Sequence, residues 1–211
     1  MPKVPSSQLV LDAAYRCFCR NGYRRTTISD IVEEAQMSRP TVYKYVGSKE
    51  EAIVKVVGSL LERAAAASDT AARAADTAEE KVLAVLTVKL EVAIRLWRDS
   101  PAHAQELLSA ATAQAPDLVT DYTDHLAGLL ASALAQAAGD GARRAAAVLL
   151  TFTRGLEDDL RDADAVREEL AAGVRMITRG ALAGPASTPA DPCGPARPKG
   201  APHAHQPHLL P

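Results

Sequence analysis

Between Ser38 and Lys49 the chain reads SRPTVYKYVGSK, which gathers three cations, two phenols and three aliphatic hydroxyls into twelve residues. What these groups share is the binding of a polyanion. Placed on a helix at about 100° per residue, Val42 and Val46 fall together on one edge. Pro40, Thr41 and Lys44 point the other way, and Tyr43 and Tyr45 leave from the two flanks. A narrow apolar back, a cationic front led by Arg39 and two bordering phenols suit a helix laid in the major groove of duplex DNA. The phenol hydroxyls then reach backbone phosphates on either wall while the front residues face base edges. Lys49 falls in the first turn of the following helix, where free backbone N–H groups already favour an anion, so amides and ammonium together can hold a phosphate. Without that role, a cation there is unfavourable by about 0.3–1 kcal/mol.

The short rod from Arg39 to Val46 is below the length that persists in water alone, so its valines must be packed by neighbouring helices. The first of these is read from Ser6 or Ser7 to Asn21, with Val10, Leu11, Ala14, Cys17 and Phe18 along one side, and Gly22 ends it. Tyr23 to Thr26 form a basic turn. Thr27 with Asp30 is a capping-box variant that opens a second helix, Ile28 to Ala35. Gln36 and Met37 make a tight turn, Ser38 caps the third helix, Pro40 is tolerated in its first turn and Gly47 stops it. Ser48 and Glu51 open a fourth helix carrying Ile53, Val56, Val57, Leu60 and Leu61, whose end in the alanine-rich run Ala64 to Thr77 stays open. Thr77 and Glu80 start a fifth helix reaching Asp99; Pro101 starts a sixth, to about Ala113. Pro116 and Asp117 start a seventh that Gly139 and Gly141 terminate, and two more span Ala142 to Leu156 and Ala163 to about Leu182.

Composition agrees with this layout: 47% of the 211 residues are apolar, only 4% are aromatic, and the chain is expected to be all-α. Residues 1–50 carry eight Lys/Arg against five Asp/Glu, a balance of +3, and residues 51–211 carry sixteen against twenty-one, a balance of −5. Positive charge at the N-terminal end suits a small nucleic-acid-binding module. Neither a membrane span nor a signal peptide is read, so a cytoplasmic, nucleoid-associated protein is expected. Cys17 and Cys19 leave a helix on different faces and are read as idle buried thiols, like the isolated Cys193. The last 27 residues hold eight prolines and read as a disordered tail whose His203, His205 and His208 lack a scaffold for a metal. The run Arg154, Glu157, Asp158, Asp159, Arg161, Asp162 and Asp164 lacks EF-hand spacing and reads as a solvated turn. With no nucleophile elbow, P-loop, dinucleotide fingerprint or zinc motif, neither an enzyme nor a cofactor is expected.

The run LVLDAAYRCFCRNGYRRTTISDIVEEAQMSRPTVYKYVGSKEEA closely resembles the N-terminal DNA-binding domain of TetR-family transcriptional regulators. The resemblance covers roughly residues 8 to 55. It implies that the second helix starts against phosphates through Thr27 and Ser29. The third helix, capped by Ser38, is implied to read the groove through Arg39, Pro40, Thr41, Lys44 and Tyr45, with Tyr43 and Lys49 gripping the backbone. Two departures stand out. Gln36 replaces a common glycine, which calls for a left-handed conformation at about 1 kcal/mol, and Val46-Gly47 replaces a frequent Phe-Pro-like pair.

One recognition helix reads few base pairs, so two must be held at fixed spacing by a dimer. Ala146, Leu149, Leu150, Phe152 and Leu156 on one helix and Val166, Leu170, Val174 and Ile177 on the next give wide apolar faces, either internal core or, as the resemblance implies, half of a four-helix homodimer interface. The resemblance also implies a C-terminal site for a small hydrophobic or aromatic effector. Its lining would come from Leu86, Leu90, Ala93, Trp97, Leu107, Leu108, Ala111, Tyr122, Leu126 and Phe152, with Lys89, Arg95 and His125 as polar anchors. The expected organisation is a helix-turn-helix head (1–50), an effector-binding and dimerisation domain (51–183) and the tail (184–211). The expected function is a regulator, acting as a repressor on a palindromic operator and released by effector. The alternative keeps the head but makes the protein an architectural or division-associated DNA binder with no inducer.

Overall fold

The computed structural model describes residues 6–158 and 160–182, and every regular element among them is helical. The proline-rich segment, Cys193 and the three late histidines lie outside the described residues. The helices are α1 (Ser6–Asn21), α2 (Ile28–Ala35), α3 (Arg39–Val46), α4 (Lys49–Ala74), α5 (Ala78–Asp99), α6 (Ala104–Gln114), α7 (Pro116–Ala138), α8 (Ala142–Leu156) and α9 (Ala163–Leu182), with a 3-10 turn (Gly139–Gly141) before α8.

Local chemistry sets most of these limits. Gly22, at φ 77°, ends α1, and the hydroxyl of buried Thr26 donates to the carbonyls of Gly22 (2.7 Å) and Cys17 (3.2 Å). Thr27 and Asp30 close a reciprocal capping box at the head of α2. Ser38 accepts from Thr41 N–H to start α3, and Ser48 from Glu51 N–H to start α4. The alanine-rich run does not break α4, because alanine is the best helix former and Ala64 and Ser68 are buried. The helix ends at Ala75, in extended conformation, one residue before Asp76 and the Thr77–Glu80 capping box of α5.

One expected start is displaced. Pro101 lies in a turn and α6 begins three residues later, at Ala104. Ser100, the residue that would cap a helix beginning at Pro101, instead donates its hydroxyl to the Cys19 carbonyl at 2.7 Å. It is 1% exposed, so this corner of the chain is committed to α1.

Two apolar cores form. Phe18, Cys17 and Val10 of α1, Ile31 of α2, Val42 and Val46 of α3 and Ala52, Ile53 and Val56 of α4 make the first, to which Leu107 of α6 adds. The second lies among α5, α7, α8 and α9, around Leu86, Leu90, Leu126, Leu130, Leu134, Leu149, Leu170 and Val174. The single rod α4 serves both halves, its first turns in the first core and its later turns against α5 and α7. On the surface of the first core, the Glu34 carboxylate accepts from Arg16 (2.6 Å) and Arg20 (3.0 Å), which hold its pKa below the ordinary value and tie α2 to α1. No described helix is long and apolar enough to cross a membrane.

Candidate nucleic-acid interface

The candidate recognition element is α3. Val42 and Val46 are 0% exposed; at about 1.5–3 kcal/mol for each buried valine, these two contacts seat an eight-residue helix that would not persist alone. Everything else on the rod faces outward to some degree. Ser38, Arg39, Pro40, Tyr43 and Lys44 are exposed and Thr41 is half-buried. Arg39 is steered by its neighbour across the turn: its guanidinium donates to Ser29 Oγ at 2.9 Å, so Ser29 orients the leading cation of α3.

The turn that sets α3 against α2 runs through Gln36, which stands at φ 53°, ψ 36°, the left-handed conformation expected from the sequence. Its N–H donates to the Glu33 carbonyl at 3.2 Å and so closes α2.

The two phenols are not equivalent. Tyr43 is 45% exposed, whereas Tyr45 is half-buried against the first core, its backbone carbonyl accepts from Lys55 Nζ at 2.9 Å, and Lys44 Nζ lies 5.9 Å from its ring centroid. Helical phase sets the two phenols symmetrically about the valine edge, so the difference comes from the neighbours: Tyr45 packs on the first core with Lys55 of α4 bonded to its carbonyl, and Tyr43 is left open. Lys49 stands at the N-terminus of α4 with its ammonium 4.8 Å from the Tyr23 ring centroid, where it donates to the Arg24 carbonyl at 3.4 Å. Tyr23 itself is pushed above its ordinary pKa, first by burial and then by Glu50, so it remains a neutral platform. Arg39 is thus tied to Ser29 of α2 and Lys49 to the Tyr23–Arg24 turn, while Tyr43 and Lys44 of α3 stand exposed. Arg24 and Arg25 are both exposed in the same basic turn; the sequence shows the turn as basic, but their direction emerges only once Thr26 anchors it.

The C-terminal candidates scatter. Leu86, Leu90 and Leu126 are 0% exposed inside the second core and Ala93 is 6% exposed, with Trp97, Tyr122 and Phe152 packed against it. Leu107 and Ala111 belong to the first core and Leu108 is on the surface, so the expected pocket residues do not share one cavity. Lys89 is paired with Glu157, which removes Glu157 from a merely solvated turn, and Arg95 pairs with Asp99 at the surface. A cavity of 190 Å³ lies instead between α4 and α7, walled by Gly58, Leu61, Ala65, Leu118, Tyr122 and His125. Burial pushes the Tyr122 hydroxyl up to about 12, and Ser68 Oγ beside it works in the opposite direction. His125 Nε2 lies 3.1 Å from Asp69 Oδ1 but out of line for a hydrogen bond.

The expected dimer face also needs correction. Leu149, Val166, Leu170 and Val174 are at most 8% exposed within the chain itself, because α8 and α9 use those stripes to pack on α5 and α7. Phe152, Leu156 and Ile177 are partly buried. The apolar side chains that α8 and α9 leave outward are Val148, 47% exposed, and Met176, 76% exposed.

A three-helix head whose third helix turns a cationic face outward is a helix-turn-helix, the architecture of a DNA-binding regulator. Residues 10–54 match the family described as bacterial regulatory proteins, tetR family. That match makes the N-terminal head similar to the DNA-binding domain of TetR-family transcriptional regulators. The chain is 28% identical over 116 residues to the HTH-type transcriptional regulator BetI of Brucella canis and, equally, of Brucella suis. That alignment covers 50% of this chain and 59% of each relative. Among solved structures, a Streptomyces coelicolor TetR-family regulator superposes with TM-score 0.65 at 23% identity, over 84% of this chain and 96% of that one. A transcriptional regulator from a Rhodococcus species gives TM-score 0.69 at 19% identity, over 84% and 98%. At these identities the likeness shows the fold.

Proposed function

We propose that this chain represses transcription by binding a palindromic DNA operator as a homodimer and that a small apolar effector releases it. The observation that carries the DNA reading is the segregation on α3: two valines with no exposure on one edge, and Arg39, Lys44 and Tyr43 exposed on the rest, beside Lys49. Arg39, Pro40, Thr41, Lys44 and Tyr45 are assigned to the groove, and Thr27, Tyr43 and Lys49 to phosphates, with Ser29 and Ser38 setting the geometry. The helix-turn-helix is the head, and the helices after it form the effector-binding and dimerisation body.

The dimer forms through the outward face of α8 and α9, where Arg144, Val148, Thr151, Phe152 and Ile177 line a groove of 500 Å³ beside Met176. Effector binding is assigned to the α4–α7 cavity, whose wall of Leu61, Ala65 and Leu118 favours an apolar ligand and where the Tyr122 hydroxyl, beside Ser68, supplies a polar group.

Sites selected from random duplex define the operator, and binding is then compared on that operator and on random duplex. Lys49→Ala and Tyr43→Phe weaken both alike, the lysine change lowering the salt slope by about one charge. Arg39→Ala and Lys44→Ala instead relax preference at particular base pairs, each by about 1–3 kcal/mol. Identical losses from all four on both duplexes would defeat this division of roles.

A further inference from the structure

The backbone of Arg24 is held from two directions. Its N–H donates to Glu106 Oε1 of α6 at 2.8 Å. Its carbonyl accepts from Lys49 Nζ at 3.4 Å, beside the Tyr23 ring that lies 4.8 Å from the same ammonium. The carboxylate comes this close because residue 22 is glycine: a Cβ there would stand 2.7 Å from Glu106 Oε2 and 3.1 Å from His103 Nδ1. Two further bonds fasten the same corner of the body to α1, Ser100 Oγ to the Cys19 carbonyl at 2.7 Å and Tyr15 OH to Asp99 Oδ2 at 2.9 Å. One residue of backbone therefore separates a carboxylate of the C-terminal body from the carbonyl on which a cation of the DNA face rests.

We propose that Glu106 is a positioning residue for DNA binding. By holding the Arg24 N–H it fixes the carbonyl and the Tyr23 ring that seat the Lys49 ammonium at the N-terminus of α4. A lysine on a free four-carbon stem loses rotamer freedom when it grips a phosphate, and one seated in advance loses less. The arrangement also makes affinity respond to α6: carrying Glu106 away from Arg24 releases the seat without altering a residue of α3. This inference rests on the assignment of Lys49 to a phosphate.

Glu106 also carries a charge that opposes DNA, so simple removal mixes two effects of opposite sign. Glu106→Gln and Glu106→Ala both delete the charge, and only the glutamine keeps a side-chain oxygen able to accept from Arg24 N–H. Binding of the full-length protein to one fluorescent duplex is measured by anisotropy for both variants, in wild-type and Lys49→Ala backgrounds, alongside thermal melts. The glutamine variant is expected to bind about 3–10-fold more tightly than the alanine variant, the span of one ordinary hydrogen bond. That ratio is expected to fall to one when Lys49 is absent, since the two residues act through one seat. Equal binding by the two variants would overturn the proposal, and so would a ratio that persists without Lys49, because Glu106 would then act by another route. A Lys49→Ala single variant that binds like wild type would instead remove the phosphate assignment, and this inference with it.

Discussion

Replacing Gln36 by glycine should make the protein more stable. Gln36 is the non-glycine residue with positive φ among the described residues, and its side chain is exposed with no hydrogen bond to lose. Holding an L-residue in the left-handed region costs about 1–2 kcal/mol, a strain that glycine does not feel. Against this, glycine is freer in the unfolded chain by about 0.4–1 kcal/mol. The difference leaves a gain of about 0.8 kcal/mol, which in a protein of this size raises Tm by about 2–3 °C. Thermal melts followed by circular dichroism at 222 nm read the shift, and urea unfolding should show a higher midpoint at unchanged slope. Gln36→Ala is the control: it keeps the strain and should stay within about 0.5 kcal/mol of wild type, as surface changes do. DNA affinity should not change, since the turn geometry is kept. A lower Tm for Gln36→Gly would refute the strain reasoning, and a parallel fall for Gln36→Ala would show that the glutamine side chain has a structural partner.

Gly173→Ala should behave in the opposite sense, because a Cβ at that position of α9 would stand 2.2 Å from Cζ of the Phe152 ring. Displacing the ring should cost about 1–3 kcal/mol despite alanine's better helix propensity, whereas Gly128→Ala on the exposed side of α7, where a Cβ meets nothing within 4 Å, should gain up to about 1 kcal/mol; melts of the two variants should move apart, and a shared direction would contradict the packing. Met176→Glu, alone or with Val148→Glu, should convert the proposed dimer to monomer in light scattering and remove any concentration dependence of Tm, and a persistent dimer would place the interface elsewhere.

Much of the fold was readable because short-range chemistry decides it. Ser38, Ser48 and the Thr27–Asp30 and Thr77–Glu80 pairs mark helix starts whatever lies beyond them, and Gln36 between two apolar helices left the backbone one way to turn. The failures concern groups whose roles are settled at long range. Pro101 looks like a helix opener until Ser100 is found bonded to Cys19, 81 residues away. Leu149, Leu170 and Val174 make a stripe that any neighbouring helix could cover, and periodicity cannot tell a helix of the same chain from one of a second copy. The pocket failed for a related reason: leucines of a core and leucines of a cavity are the same residues in the sequence, and only the packing of Gly58 and Ala65 against α7 shows where space remains. On α3 the pattern identified the two valines and the cationic front, but it gave the flanking tyrosines a symmetry that α4 removes.

The length of α4 gives small movements large effects. Its 26 residues, at about 1.5 Å each, make a stiff lever of about 39 Å with one end under the recognition helix. Pivoting such a lever by about 5° sweeps its tip through about 3.4 Å, the height of about one step of the DNA ladder. Two heads set to straddle a fixed number of base pairs would be thrown out of phase by a swing that scarcely disturbs the packing at the pivot.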